Sequence, residues 1–407
     1  VSGKVPVLVG VYRDAFSGIP RTIWLLAGAN LVNRVGGMVV PFLILYFTSQ
    51  LGFSPVEAGR TLSLYGLGSI AGALAGGWLS DRVSSLWVQR LSLLATGAGF
   101  LVLSQLRGRW AVSVAVFLLS LVTDVFRPAL MTSVSRSCPP EALPRSLSLL
   151  RLANNLGFAI GPAIGGFLAA RHYGLLFVCD ALTCWAAAAV LFALRLDVRS
   201  PPAASSRSET REGRSPWLDG PFLGFLALTT LLAMVFFQIF ATMPLYLKDV
   251  YRLSEKGIGM LLSVNGLSIA LFEMVIVRAL ERRDRLRLAA LGCVLICLGF
   301  GLLPLGSTWL FAAFTSLVWT AGEMVTMPMI NAAAAERGPA VRRGAYLGAY
   351  TVAFSAGWVV APSAGMAIYS GAGGTALWLA VGAMALPLGL GYLSLAPRFR
   401  ARSGDGV

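Results

Sequence analysis

Polar residues along this chain fall in short clusters, and between them run apolar stretches of about twenty residues, enough to cross a hydrocarbon core of about 30 Å. The pattern predicts twelve helical spans, near residues 22–48, 57–80, 87–106, 110–134, 146–170, 173–195, 221–246, 256–280, 287–305, 309–333, 344–369 and 374–396. The one stretch that reads as solvated is 197–219, where Pro, Ser and alternating charges predict a flexible linker.

The pattern also repeats. Displaced by 200 residues, Leu45-Tyr46 falls on Leu245-Tyr246, Ser54 on Ser254 and Gly66-Leu67 on Gly266-Leu267. Asp81-Arg82 falls on Glu281-Arg282, Pro128 on Pro328, and Gly157, Pro162 and Gly165 on Gly357, Pro362 and Gly365. The expected organisation is a six-helix bundle over 1–196, a linker over 197–219 and a second six-helix bundle over 220–407. Two similar apolar halves enclosing one path is the layout of a membrane transporter.

Composition agrees. Hydrophobic residues make up 57% of the chain and charged residues 13%, against about 25% charged in soluble domains. The net charge of +15 would suggest nucleic acid in a soluble protein, but no soluble basic module is present to bind it. With both termini inside, about 22 of the 33 Lys and Arg lie on the cytoplasmic side and about 6 outside. Attraction to anionic lipid headgroups accounts for that bias. No short apolar segment ending in a cleavage site occurs in the first twenty residues, so the first long span is expected to serve as its own insertion signal.

The five cysteines sit in or beside spans, and no His or carboxylate joins Cys293 and Cys297 as a metal set. The lone His172 falls in a short connection. Nothing resembles a phosphate-cradling Gly-rich loop with Lys. The expectation is therefore a non-enzyme without cofactor or metal, driven by an ion gradient.

Ionisable groups inside spans are where the chemistry belongs, because each costs several kcal/mol unless it faces a cavity or a partner. Glu323 lies about mid-span and Glu273 nearer one end. Asp124 and Arg127 are three residues apart, on one helix face, which allows an internal ion pair. Asp180 falls near the outer face and is expected to be solvated. Arg34 sits among Asn30, Asn33, Gly36 and Gly37, so it should face the cavity, an acid on another helix or a bound anion. Arg151 with Asn154 and Asn155 adds polar surface, either for cargo or for interhelical hydrogen bonds. Tyr65, Phe236, Phe237, Phe240 and Trp319 are the candidates for an aromatic cargo surface.

Two motifs give the architecture a family. Gly77-Trp78-Leu79-Ser80-Asp81-Arg82-Val83 resembles the loop signature of the major facilitator superfamily. The resemblance implies twelve helices in two bundles related by a pseudo-twofold axis, with Asp81 capping neighbouring helices and pairing with Arg. Ser84, Ser85 and Leu86 replace the family's Gly and basic residues, and Arg90, a turn further on, is expected to supply part of that charge. Gly157, Gly161, Pro162 and Gly165 resemble the Gly-Pro motif of the drug:proton antiporter branch, where it is associated with export, although small residues at one-turn spacing also serve close packing. Gly322-Glu323 followed by Pro328 resembles the tenth-span pattern of bacterial multidrug antiporters, and Arg127 stands at the fourth-span Arg of that branch.

The resemblance implies a proton-coupled, alternating-access exporter of hydrophobic or amphipathic drugs in a bacterial inner membrane. It would work as a monomer among lipids, with small molecules and protons as its ligands. A carrier of peptides or other zwitterions, or of lysolipids, is the alternative, because the embedded cations lie in the first half and Glu273 and Glu323 in the second.

Overall fold

The computed structural model describes residues 18–193, 215–339 and 342–400. Among them are twelve helices long and apolar enough to span a membrane, numbered here in chain order. The first half holds α1 (Arg21–Ser49), α2 (Pro55–Arg82), α3 (Ser85–Gln105), α4 (Arg109–Ser137), α5 (Leu143–Arg171) and α6 (Tyr173–Ala193). The second holds α7 (Gly220–Asp249), α8 (Glu255–Leu280), α9 (Arg285–Leu305), α10 (Trp309–Arg337), α11 (Arg343–Ala372) and α12 (Gly374–Phe399). Each second-half span starts 199 to 201 residues after its counterpart, from Arg21 against Gly220 to Tyr173 against Gly374. An even number of crossings puts residues 21 and 399 on the same face, here called the terminal face.

Local chemistry repeats with the helices. Ser54 caps α2 in a capping box with Glu57, and Ser254 caps α8 through the Gly257 N–H. The turn before each cap needs a left-handed residue. Gly52 supplies it at φ 66°, and Arg252 takes it at φ 56°. The same backbone bond closes both turns, Phe53 N–H to Phe47 and Leu253 N–H to Leu247.

Glycine sets how closely the halves meet. A Cβ on Gly259 would lie 2.2 Å from the Pro162 carbonyl oxygen, and one on Gly266 2.7 Å from Ala159 N, so α5 and α8 touch through backbone. Gly59 and Gly66 do the same for α2 against Pro362 and Val359 of α11. Away from the terminal face the halves are also tied by the Ser63–Ser363 hydroxyl pair (2.7 Å) and by Tyr173 donating to Glu255 (3.0 Å). A Cβ on Gly77, Gly344 or Gly348 would meet nothing within 4 Å, and Arg127 is exposed.

The stretch 194–214, most of the expected linker, lies outside the described residues. The last residues of the expected linker, 215–219, are structured, although Trp217 and Leu218 are exposed. Pro216–Leu218 form a 3-10 turn, and the buried Asp219 caps α7 and pairs with Arg337 through two 2.8 Å hydrogen bonds.

Candidate functional site

Two polar clusters lie within the spans, the first between helices of the first half and the second across both halves. In the first, Asn154 Oδ1 of α5 accepts from Arg34 Nε (3.0 Å) and from Asn30 Nδ2 (3.1 Å) of α1. Arg34 can reach Asn154 because α5 carries Gly157 at the crossing: a Cβ there would fall 2.4 Å from the Arg34 Cβ. Asp124, Arg127, Tyr65 and Cys184 are the other ionisable groups whose fields reach Arg34, and Ser69 stands beside the Asp124 carboxyl. No carboxylate among the described residues pairs directly with Arg34.

Just beyond Arg34 the α1 helix breaks at Gly36-Gly37 before resuming at Leu43–Ser49. The break frees the Met38 and Val39 N–H groups, and both donate to Asp180 of α6, at 3.1 and 3.0 Å. Asp180 is fully buried, so the expectation of a solvated acid at the outer face is corrected. Its environment is two backbone dipoles rather than water.

The second cluster spans the halves. Glu273 of α8, buried, accepts from the guanidinium of Arg151 and from Asn155 Nδ2 (3.2 Å), both on α5. Glu323 of α10 accepts from Asn265 Nδ2 of α8 at 2.9 Å, and the same amide reaches Thr320 Oγ1 at 3.0 Å. Glu323 opens onto a cavity of about 170 Å³ whose walls include Asn155, Phe158, Phe236, Phe240 and Ile269. The arrangement presents one carboxylate against three aromatic faces. Phe240 anchors that wall, edge-on to both Phe158 (6.0 Å) and Trp358 (5.7 Å).

Several expectations change against this geometry. Trp319 is not a cavity residue: it is 1% exposed and stacks on Phe300 at 5.3 Å inside the second bundle. Asn33 turns towards α6, where Cys184 Sγ donates to it at 3.5 Å. Tyr65 is buried, edge-on to Trp358. Asp124 and Arg127 form no internal ion pair, because Pro128 has no N–H for the Asp124 carbonyl. The helix ends at Asp124 and resumes at Phe126, which turns Arg127 outward.

The loop motif also differs from expectation. Asp81 is exposed and makes no ion pair among the described residues, while Arg82 lies over Trp78 at 4.2 Å. Arg90, expected to supply part of the missing charge, donates to the Leu191 carbonyl (2.6 and 3.1 Å) between the Trp87 and Phe192 rings. Gly157, Gly161 and Gly165 form the seat of α1.

Phe158 and Asn265 were missed in the sequence, yet both carried a signal. Displaced by 200 residues, Phe158 falls on Trp358 and Tyr65 on Asn265, so each is the counterpart of a group already facing the centre.

Comparison with known proteins agrees with this architecture. A family model described as Major Facilitator Superfamily matches residues 26–362 and, in a second overlapping match, 258–405. A "Na(+), Li(+), K(+)/H(+) antiporter" of Planococcus maritimus is 25% identical over 90% of this chain and 94% of its own. "Multidrug resistance protein MdtH" of Edwardsiella ictaluri is 28% identical over 78% of this chain and 79% of its own. A crystal structure of peptide transporter POT in complex with sulfate superposes with a TM-score of 0.82 over 94% of this chain and 96% of that one, at 18% identity. With the family model covering nearly the whole chain, this multi-pass membrane protein belongs to the Major Facilitator Superfamily, a family of transporters and not of enzymes.

Proposed function

We propose that this protein is a proton-coupled antiporter that exports hydrophobic or amphipathic compounds by alternating access. The observation that carries the reading is Glu323, a carboxylate opening onto a cavity walled by Phe158, Phe236 and Phe240. Aromatic faces give affinity without strict shape, and a carboxylate beside them favours cargo bearing a positive charge. A carboxylate that binds either a proton or a cation makes the two compete, so a proton arriving from the far side displaces cargo. The antiporter and multidrug names of the relatives support this direction.

The cavity of about 170 Å³ is below the roughly 300–1,000 Å³ of drug-sized sites. Cargo therefore enters with further parting of the halves, and the Arg151–Glu273 pair between them is the contact that must rearrange. On this reading Glu323, Glu273, Asp124 and Arg127 handle protons, and the Asp81 and Arg82 loop engages when the terminal face closes.

The same reading places the protein as a monomer in a bacterial inner membrane with both termini cytoplasmic, as the Lys and Arg bias favours. The bundles 1–196 and 220–407 would rock about the 197–219 linker. A panel of lipophilic cations, zwitterions and anions in vesicles with an imposed pH gradient tests it. Efflux of cations driven by inward protons is expected, and uptake or indifference to the gradient would refute it.

A second reading has its own observation. Arg34, with no carboxylate directly paired among the described residues, lies in the half opposite Glu323. Opposed charges on two halves could hold the two ends of a zwitterion, such as a peptide, and the POT likeness in fold is compatible with that.

A further inference from the structure

A groove on the face opposite the termini takes no part in the central site. It lies between the first turns of α2 and α4, encloses about 390 Å³ and is lined by Arg60, Thr61, Arg109, Trp110 and Ser113 among others. Its one acid, Glu57, is already engaged. It accepts from the Ser54 N–H (2.9 Å) and hydroxyl (3.0 Å) and pairs with Arg109 at 2.9 Å. Arg60, exposed, has no ion pair among the described residues. Arg109, 66% exposed, keeps further donors beyond the one spent on Glu57.

The fold does not require this polarity. Displaced by 200 residues, Glu57, Arg60, Thr61, Arg109, Trp110 and Ser113 fall on Gly257, Met260, Leu261, Trp309, Leu310 and Ala313. Cap and preceding turn are built alike in both halves, so an apolar version of this corner folds equally well. The first half carries two guanidiniums at the membrane–water boundary, where cations meet headgroups.

Beneath the groove lies an apolar track. Trp110 is 86% exposed, and Val114 and Leu118, one and two turns deeper on the same face of α4, are 55% and 52% exposed. A Trp at this level is a boundary residue, half apolar and half wet. Cations above an apolar stripe fit a ligand with an anionic head and hydrocarbon tails.

We propose that this groove binds the phosphodiester headgroup of an anionic phospholipid in the leaflet opposite the termini, with its acyl chains along Val114 and Leu118. Arg60 and the free edge of Arg109 hold the phosphate. Because Glu57 is spent, nothing in the groove offers a carboxylate to the ammonium of a zwitterionic headgroup, so net-anionic lipids are preferred.

Native mass spectrometry of the full chain released from nanodiscs of equal phosphatidylglycerol and phosphatidylcholine tests this. The unmodified protein should retain phosphatidylglycerol preferentially, Arg60→Gln should lower that retention several-fold, and Arg60→Lys should restore part of it. Trp110→Ala, which alters no charge, should also lower it. Soluble glycerol phosphate in excess should displace none. Undiminished retention in both Arg60→Gln and Trp110→Ala would overturn the proposal. Displacement by glycerol phosphate would overturn it too, by assigning the site to a water-soluble anion.

Discussion

Glu323 and Arg34 are both ionisable groups at mid-span, but their surroundings ask different things of them. Glu323 has one amide donor and an open aromatic cavity. Arg34 has one amide acceptor and, among the described residues, no directly paired acid. Replacing Arg34 by Ala should therefore weaken anionic or zwitterionic cargo by roughly 10–100-fold in apparent KM, the worth of a charge-assisted hydrogen bond. It should leave cationic dyes nearly unchanged; equal losses for both would make Arg34 structural. Arg252 carries the left-handed turn that Gly52 makes without a side-chain penalty. Arg252→Gly is expected to stabilise by about 1 kcal/mol, read as a higher melting temperature in detergent. At this scale the sequence was informative about charges, because a carboxylate or guanidinium among twenty apolar residues stands out. It was poor on direction. A helix that is apolar all round carries no stripe to say which side faces the centre, and so Trp319 and Asn33 were assigned to a cavity they do not line.

At the scale of elements, glycine and proline decide where helices touch and where they stop. Gly157 sits under Arg34, whereas Gly77 has open space around it. Gly157→Val should cost about 1–3 kcal/mol by overpacking α1 against α5 and should impair transport, while Gly77→Ala should leave both unchanged within error. Both glycines belong to recognisable motifs, so only the contact geometry separates them. Pro128 ends a helix and Pro328, its repeat partner, lies inside a continuous one; the two cannot be told apart from sequence alone.

The end of the linker yields a pH prediction. Burial opposes ionisation of Asp219, but the hydrogen bonds and charge of Arg337 outweigh it, with the Phe222 N–H and the Tyr346 hydroxyl adding to them. Together they hold the carboxyl below the usual Asp range. A carboxyl so depressed contributes stability that is fully present above the unfolded value of about 4 and is lost as pH falls through the lower folded value. Asp219→Asn should thus melt lower than the unmodified protein at neutral pH, and the gap should close only in strongly acid buffer. A gap that widens on acidification would contradict the pairing.

For the whole molecule, the repeat made the architecture legible: twelve spans, their pairing by position and the corresponding caps all follow from one displacement. What the repeat hides is where the halves diverge. Displaced by 200 residues, Glu323, Glu273, Arg34 and Arg151 fall on Thr123, Ala73, Met234 and Thr351, so the chemistry lies where the symmetry fails. The site forms only when residues of α1, α5, α7, α8 and α10 come together, and single-chain periodicity does not report that meeting. The account rests on Glu323 coupling proton movement to cargo movement. The most direct measurement compares uphill, pH-gradient-driven transport with gradient-free exchange in proteoliposomes carrying Glu323→Gln. Loss of uphill transport with exchange retained is the result expected; undiminished, pH-dependent uphill transport by that variant would remove Glu323 from the mechanism.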